Sequence, residues 1–282
     1  MVSENLYSGE LSKSFSVVTD FYQRALKLGD ERVEGWPLMA SPLPTLTIAL
    51  TYILMCVYLP QYMKKKYQLR PLLLLYNGIN ILMNAYIAFE LATNIKGFNW
   101  ICQPVNYSKD DQSMRLARGL WWYYFSKLFE LLDSVFFILR GKTNQLTFLH
   151  VYHHSTMFCL WWIGVKYVAG GSSVFGALFN CLVHVAMYSY YFLSALGPEF
   201  SKFLAWKKYL TIIQIAQFIL AIVMGVNALR VKCDFPLWMQ YSMIAYMISF
   251  LFLFGNFYRQ AYYYKSSHNN KRKSSVVQKK KK

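Results

Sequence analysis

The chain has 282 residues, of which 56% are hydrophobic, 18% aromatic and 15% charged. One soluble core of this length needs far less apolar surface, so lipid is read as the main solvent. The formal net charge of +17 would suit nucleic acid in a soluble protein. Here, however, Lys and Arg fall in short stretches between long apolar runs, the distribution of cytoplasmic loops in a membrane protein, which excludes nucleic acid as a partner.

Residues 1–41 are polar and of mixed charge, without the basic start, apolar stretch and cleavage site of a signal peptide. They are expected to form a luminal segment, with the first spanning helix acting as the targeting signal. A helix needs about 20 mostly apolar residues to cross roughly 30 Å of hydrocarbon. Seven runs qualify: 42–62, 71–93, 120–139, 146–165, 174–196, 209–229 and 237–258. The expected fold is an all-α integral membrane protein with seven transmembrane helices, its membrane domain spanning 42–258.

An odd number of spans puts the termini on opposite faces, and basic residues favour the cytoplasm. With the C-terminus cytosolic, the inner segments hold Lys64, Lys65, Lys66 and Arg70, then Arg140 and Lys142, then Lys202, Lys207 and Lys208, and finally the tail. The luminal loops then carry Cys102, Cys233 and the glycosylation sequon Asn106-Tyr107-Ser108. Both features suit an oxidising, glycosylating compartment, and Cys102 and Cys233 are expected to pair. Cys56, Cys159 and Cys181 lie inside spans. The tail, 259–282, has nine basic residues and no apolar period, and is expected to be disordered. Its terminal Lys279 to Lys282 resembles a dilysine retrieval signal of endoplasmic reticulum membrane proteins and is also a polybasic stretch suited to anionic lipid.

Ionisable groups in spans are costly and usually face a protein interior or a water-filled cavity. The second span carries Asn77, Asn80, Asn84 and Glu90. The third carries Lys127, Glu130 and Asp133 along one stripe. The fourth opens with His150-Val151-Tyr152-His153-His154, whose histidines share a face. The fifth aligns Asn180, His184 and Tyr188, and the sixth Thr211, Gln214 and Gln217. At about 1.5 Å per residue, the groups from the third to sixth spans lie roughly 7 to 18 Å from the cytosolic ends of their helices. They therefore occupy one layer, where chemistry is expected. Interhelical hydrogen bonding explains the asparagines and glutamines as well, but not the clustered histidines.

Histidines at this spacing first suggest a metal, as in membrane desaturases and hydroxylases. Those di-iron sites use about eight histidines, whereas this chain has five, and His268 falls in the tail. A single metal ion stays open on composition. Without a metal, imidazoles serve as base and nucleophile, with Glu130 and Asp133 placed to fix tautomers. A seven-helix receptor shares the topology but has no use for this layer.

Lys127-x-x-Glu130-x-x-Asp133-Ser134, His150-Val151-Tyr152-His153-His154, His184-x-x-Met187-Tyr188-x-Tyr190-Tyr191 and Thr211-x-x-Gln214-x-x-Gln217-Phe218 together resemble the very-long-chain fatty acid elongases, the 3-ketoacyl-CoA synthases of the endoplasmic reticulum. The similarity runs over about 33–264, with Leu75-Tyr76-Asn77 and Asn80 as a weaker fifth motif. Ser134 stands where the family usually has Thr, which keeps the hydroxyl. The stretch 160–166 is closest to the animal type-four-like branch. The resemblance implies that helices 2 to 7 ring a substrate tunnel closed toward the lumen. It implies acyl-CoA and malonyl-CoA as substrates, no bound cofactor or metal, and the other enzymes of the elongation cycle (ketoreductase, dehydratase, enoyl reductase) as partners. Homo- and hetero-oligomers stay open. Arg140, Lys142, Lys202, Lys207 and Lys208 are then placed to attract CoA phosphates. The expected nucleophile is His153 or His184, with Asn180 and Gln214 as hydrogen-bond partners of the thioester or enolate oxygen.

Overall fold

The computed structural model describes residues 16–204 and 206–264. The dilysine segment and His268 lie outside the described residues. A helical stretch, α1, covers 16–27. It is followed by α2 (Leu43–Tyr62), α3 (Arg70–Thr93), α4 (Asp111–Glu130), α5 (Leu132–Leu139), α6 (Phe148–Val168), α7 (Ser173–Ala195), α8 (Lys207–Arg230) and α9 (Leu237–Tyr258). Short 3-10 turns occupy Glu31–Val33, Thr143–Gln145 and Pro198–Leu204.

Five of these helices, α2, α3, α7, α8 and α9, are long and apolar enough to cross a membrane, and the chain is an integral membrane protein. Leu46, Leu50 and Val57 of α2, Val223 of α8 and Phe252 of α9 are exposed, as an apolar solvent permits. The other two expected spans differ. The run 120–139 is no single helix. It is the end of α4 and all of α5, separated by a tightened turn at Leu131 whose N–H donates to Leu128 O at 3.3 Å. The backbone at Leu131 stays right-handed helical, so the chain continues without reversing. α4 holds Arg115, Arg118, Lys127 and Glu130, and α6 holds the histidines with Ser155, Thr156 and Lys166. Their polarity, not their length, sets them apart.

α3 lies along α7, α8 pairs with α9, and α2 rests on α6. The main core gathers Tyr123 and Tyr124 of α4, Phe158 and Trp162 of α6, and Ala177, Leu178 and Cys181 of α7. Asn80 and Asn84 do not bridge helices through their amides. Each Nδ2 donates to the carbonyl four residues earlier on α3, Tyr76 O and Asn80 O, both at 3.0 Å, the local alternative open to short polar side chains.

At the end where α2 begins and α6 stops, the loops are tied together. Arg32 is buried and spends every N–H: on the Asp30 carboxylate, and on the carbonyls of Asn106 (2.7 Å), Ser113 (3.2 Å) and Ala169 (2.9 Å). Cys102 and Cys233, 131 residues apart, form a disulfide. Gly171 has φ +59°, and a Cβ there would meet Gln103 O at 2.6 Å, so only glycine lets the α6–α7 turn take the Ser172 N–H to Gln103 O hydrogen bond of 2.9 Å. Asn106 is exposed, its Oδ1 accepting from Ser108 N–H at 3.0 Å. Asp110 caps α4. The Ser108 hydroxyl first, then the Ser113 amide, hold its carboxyl below the usual range.

Losing Arg32 strands the Asp30 carboxylate and three carbonyls away from water. Arg32→Ala should destabilise the folded protein by about 3 kcal/mol or more, measured by denaturant unfolding in mixed micelles. Glu31→Ala, which removes only the exposed 3.9 Å pair with Lys109, should change stability by less than about 0.5 kcal/mol.

Candidate active site

Helix periodicity builds the site. Lys127 and Glu130, one turn apart on α4, meet at 2.7 Å with side chains 2% and 0% exposed. His184 from α7 brings Nδ1 to Glu130 Oε1 at 3.0 Å and to Lys127 Nζ at 3.4 Å. An ammonium and an N–H both donate, so the carboxylate oxygen accepts from both and holds the His184 proton on Nδ1. Its Nε2 is left with a free lone pair. Glu130 Oε2 is buried and without a hydrogen-bond partner among the described residues.

The same lysine orients an amide. Asn180 Oδ1 accepts from Lys127 Nζ at 3.1 Å and from the Tyr123 hydroxyl at 2.7 Å. Lys127 also lies over the Tyr123 ring, 4.5 Å from its centroid. With Oδ1 doubly engaged, the amide is locked so that its NH2 is the end left to donate.

The three histidines of α6 form a row. His150 and His154 rings are 4.4 Å apart, His154 and His153 5.1 Å, and His153 and His184 6.5 Å, centre to centre. His150 Nε2 is 2.8 Å from Ser134 Oγ. Among the described residues, no group of three or more His, Cys, Asp or Glu is placed to hold one metal ion.

A cavity of about 310 Å³ runs from this cluster toward the disulfide end. His153, Asn180 and Gln217 line one part of it, and Trp100, Phe175 and Trp238 another. The rest of its wall is mostly aromatic and aliphatic, with Ser172, Ser173, Gln240 and Ser242 among it, and Trp100 stacks on Phe175 at 4.6 Å.

The layer expected from helix depth is thus one connected cluster of Lys127, Glu130, His184, Asn180 and the α6 histidines, with two departures. Asp133 fixes no histidine, because its Oδ2 accepts from the Tyr188 hydroxyl at 2.8 Å. Among the described residues Gln214 reaches only Met187 Sδ, at 3.8 Å, and it is not part of the cavity wall. Gln217, one turn along, does. Between the two nucleophile candidates, His153 faces the cavity, whereas His184 is committed behind it. Tyr123 was missed, its motif-free position giving no signal beyond sharing a helical stripe with Lys127. Arg140, Lys142, Lys207 and Lys208 sit near helix ends, away from the cavity wall, with Lys142, Lys207 and Lys208 exposed. The Lys202 side chain lies outside the described residues.

A family model described as "ELO: GNS1/SUR4 family" matches residues 37–271. The chain is 48% identical over 256 residues to "Very long chain fatty acid elongase 4" of Homo sapiens, covering 89% of this chain and 82% of the relative, with the same figures for the protein of that name from Mus musculus. It is 45% identical over 237 residues to "Very long chain fatty acid elongase 2" of Mus musculus (83% and 80%). It is 41% identical over 239 residues to "Very long chain fatty acid elongase 7" of Drosophila melanogaster (83% and 73%). A family model matching most of the chain, and relatives 41 to 48% identical over more than four-fifths of it, lead to one conclusion: the chain belongs to the ELO family of very-long-chain fatty acid elongases.

Proposed function

We propose that this chain condenses a long- or very-long-chain acyl-CoA with malonyl-CoA, giving 3-oxoacyl-CoA, CO2 and CoA through an acyl-histidine. The observation that carries the reading is His153 at the wall of an apolar cavity, backed by a histidine whose tautomer a buried carboxylate holds. An imidazole nitrogen of His153 attacks the thioester carbonyl. The N–C bond forms as the C–S bond breaks, and the ring proton leaves with the CoA thiolate by way of the His184 lone pair. Loss of CO2 from malonyl-CoA then leaves its electron pair on the acetyl-CoA enolate. That carbon takes the acyl group, the C–N bond breaks, and His153 regains a proton from solvent. The Asn180 NH2 and Gln217 supply donors for the oxygens on which charge develops.

This reading counts α4 with α5, and α6, as two further spans, giving seven, with α3 to α9 around the tunnel. Family membership supports an endoplasmic reticulum location, with the disulfide end luminal and the histidine end cytosolic, where CoA esters are dissolved. Arg140, Lys142, Lys207 and Lys208 suit the CoA phosphates. The product carries a 3-oxo group that a ketoreductase, a dehydratase and an enoyl reductase must remove in turn, so those enzymes are the natural partners. No bound cofactor or metal enters this chemistry.

The test is purified protein in lipid nanodiscs given acyl-CoA and carboxyl-labelled malonyl-CoA. Equal yields of labelled CO2 and 3-oxoacyl-CoA are expected, unchanged by chelators. An oxidised acyl product that forms without malonyl-CoA and needs iron, O2 and a reductant would instead favour a His-box oxygenase. Glu130→Gln should lower kcat by about 10²-fold or more, since it loosens the His184 tautomer and the Lys127 charge together. Cys181→Ala should stay near the wild type.

Cavity length should set chain length. Gly176 lines the cavity, and a Cβ there meets nothing within 4 Å. Gly176→Leu should keep activity on shorter acyl-CoAs and cut the longest products at least tenfold. Gly225→Leu, whose Cβ meets Ile244 at 2.8 Å, should instead lower stability. Product profiles by mass spectrometry separate the two.

A further inference from the structure

α2 carries none of the motifs that build the catalytic cluster, yet it reaches that cluster through two buried hydroxyls. Tyr52 of α2 places its hydroxyl 2.8 Å from Ser134 Oγ, and Ser134 Oγ lies 2.8 Å from His150 Nε2. Tyr52 and Ser134 are 4% and 0% exposed, so each of their protons needs a partner inside the protein. Only one direction gives both a strong acceptor: Tyr52 O–H to Ser134 Oγ, and Ser134 O–H to the His150 Nε2 lone pair. In the reverse direction the imidazole N–H donates to Ser134 and Ser134 to Tyr52. The Tyr52 proton is then left without an oxygen or nitrogen acceptor among the described residues, and the buried thiol of Cys56, one turn along α2, is a weak acceptor.

We infer that Tyr52 is a positioning residue for the condensation: through Ser134 it holds His150 as the tautomer protonated on Nδ1, with Nε2 occupied, and so anchors the ring row His150–His154–His153. Two consequences follow. His150 cannot attack through Nε2, which assigns it a supporting place in the row. Ser134, where the family usually has Thr, is retained for its hydroxyl, because the contacts on both sides are made by Oγ. The inference rests on the condensation reading for its kinetic part and on the hydrogen-bond geometry for its tautomer.

The test uses the full chain in lipid nanodiscs with 15N-imidazole-labelled histidine, the His150 signals being assigned by their loss in His150→Gln. The wild type should show His150 protonated at Nδ1, with a hydrogen-bonded, unprotonated Nε2. Tyr52→Phe removes one oxygen and keeps the ring, so it should fold. It frees Ser134 to accept as well as donate, and a second population protonated at Nε2 should appear. The same variant should lower kcat about fivefold with KM unchanged for both CoA substrates, the scale of one neutral hydrogen bond. Ser134→Ala should do at least as much, and Ser134→Thr should restore both tautomer and kcat to within about twofold. A wild-type His150 protonated at Nε2, or a Tyr52→Phe protein unchanged in both tautomer and kcat, would overturn the inference. Failure of the condensation reading would show separately, as a wild type releasing no CO2 from malonyl-CoA, because the imidazole spectrum is taken without substrate.

Discussion

A lysine ammonium and a glutamate carboxylate, both shut away from water inside a membrane protein, exist as ions only because they neutralise each other, and the arrangement of this site follows from that requirement. Removing one partner of such a pair costs about 3 to 5 kcal/mol, because it strands the other charge. Lys127 and Glu130 meet this demand within one turn of α4. The donors and acceptors left over then dictate their neighbours. The carboxylate oxygen takes the His184 N–H, and the ammonium takes the Asn180 oxygen and the Tyr123 face. One ion pair thereby sets a histidine tautomer and an amide orientation on another helix.

The charges also explain why the site is built where it is. An ion pair facing lipid would lack these partners, so α4, α6 and α7 pack their polar faces on one another, while α2, α8 and α9 keep apolar faces outward. The opposite end is held by different means, a saturated arginine and a disulfide. Chemistry and anchoring therefore occupy separate ends of the molecule, and the apolar cavity lies between them.

The five apolar spans were legible because a 20-residue hydrophobic run leaves a helix few alternatives in lipid. The layer of Lys127, Glu130, Asn180, His184 and the α6 histidines was legible because helix rise converts sequence number into depth. Rotation about the helix axis was less so. Depth placed Gln214 and Gln217 together, but only the packing of α8 shows that Gln217 reaches the cavity. Asp133 shares the stripe of Glu130, yet the tightened turn at Leu131 sends it to Tyr188. Tyr52 lies in a plain apolar run, and nothing in its neighbours announces a contact 82 residues away.

The central claim is that the Lys127–Glu130–His184 cluster makes His153 the group that carries the acyl chain. The most direct measurement is tandem mass spectrometry of the purified protein, quenched after exposure to acyl-CoA alone. The account predicts an acyl mass on the peptide bearing His153, removed by hydroxylamine and absent from His153→Ala. An acyl group found instead on His184 or Cys181, or CoA released in turnover with no adduct on any residue, would contradict it.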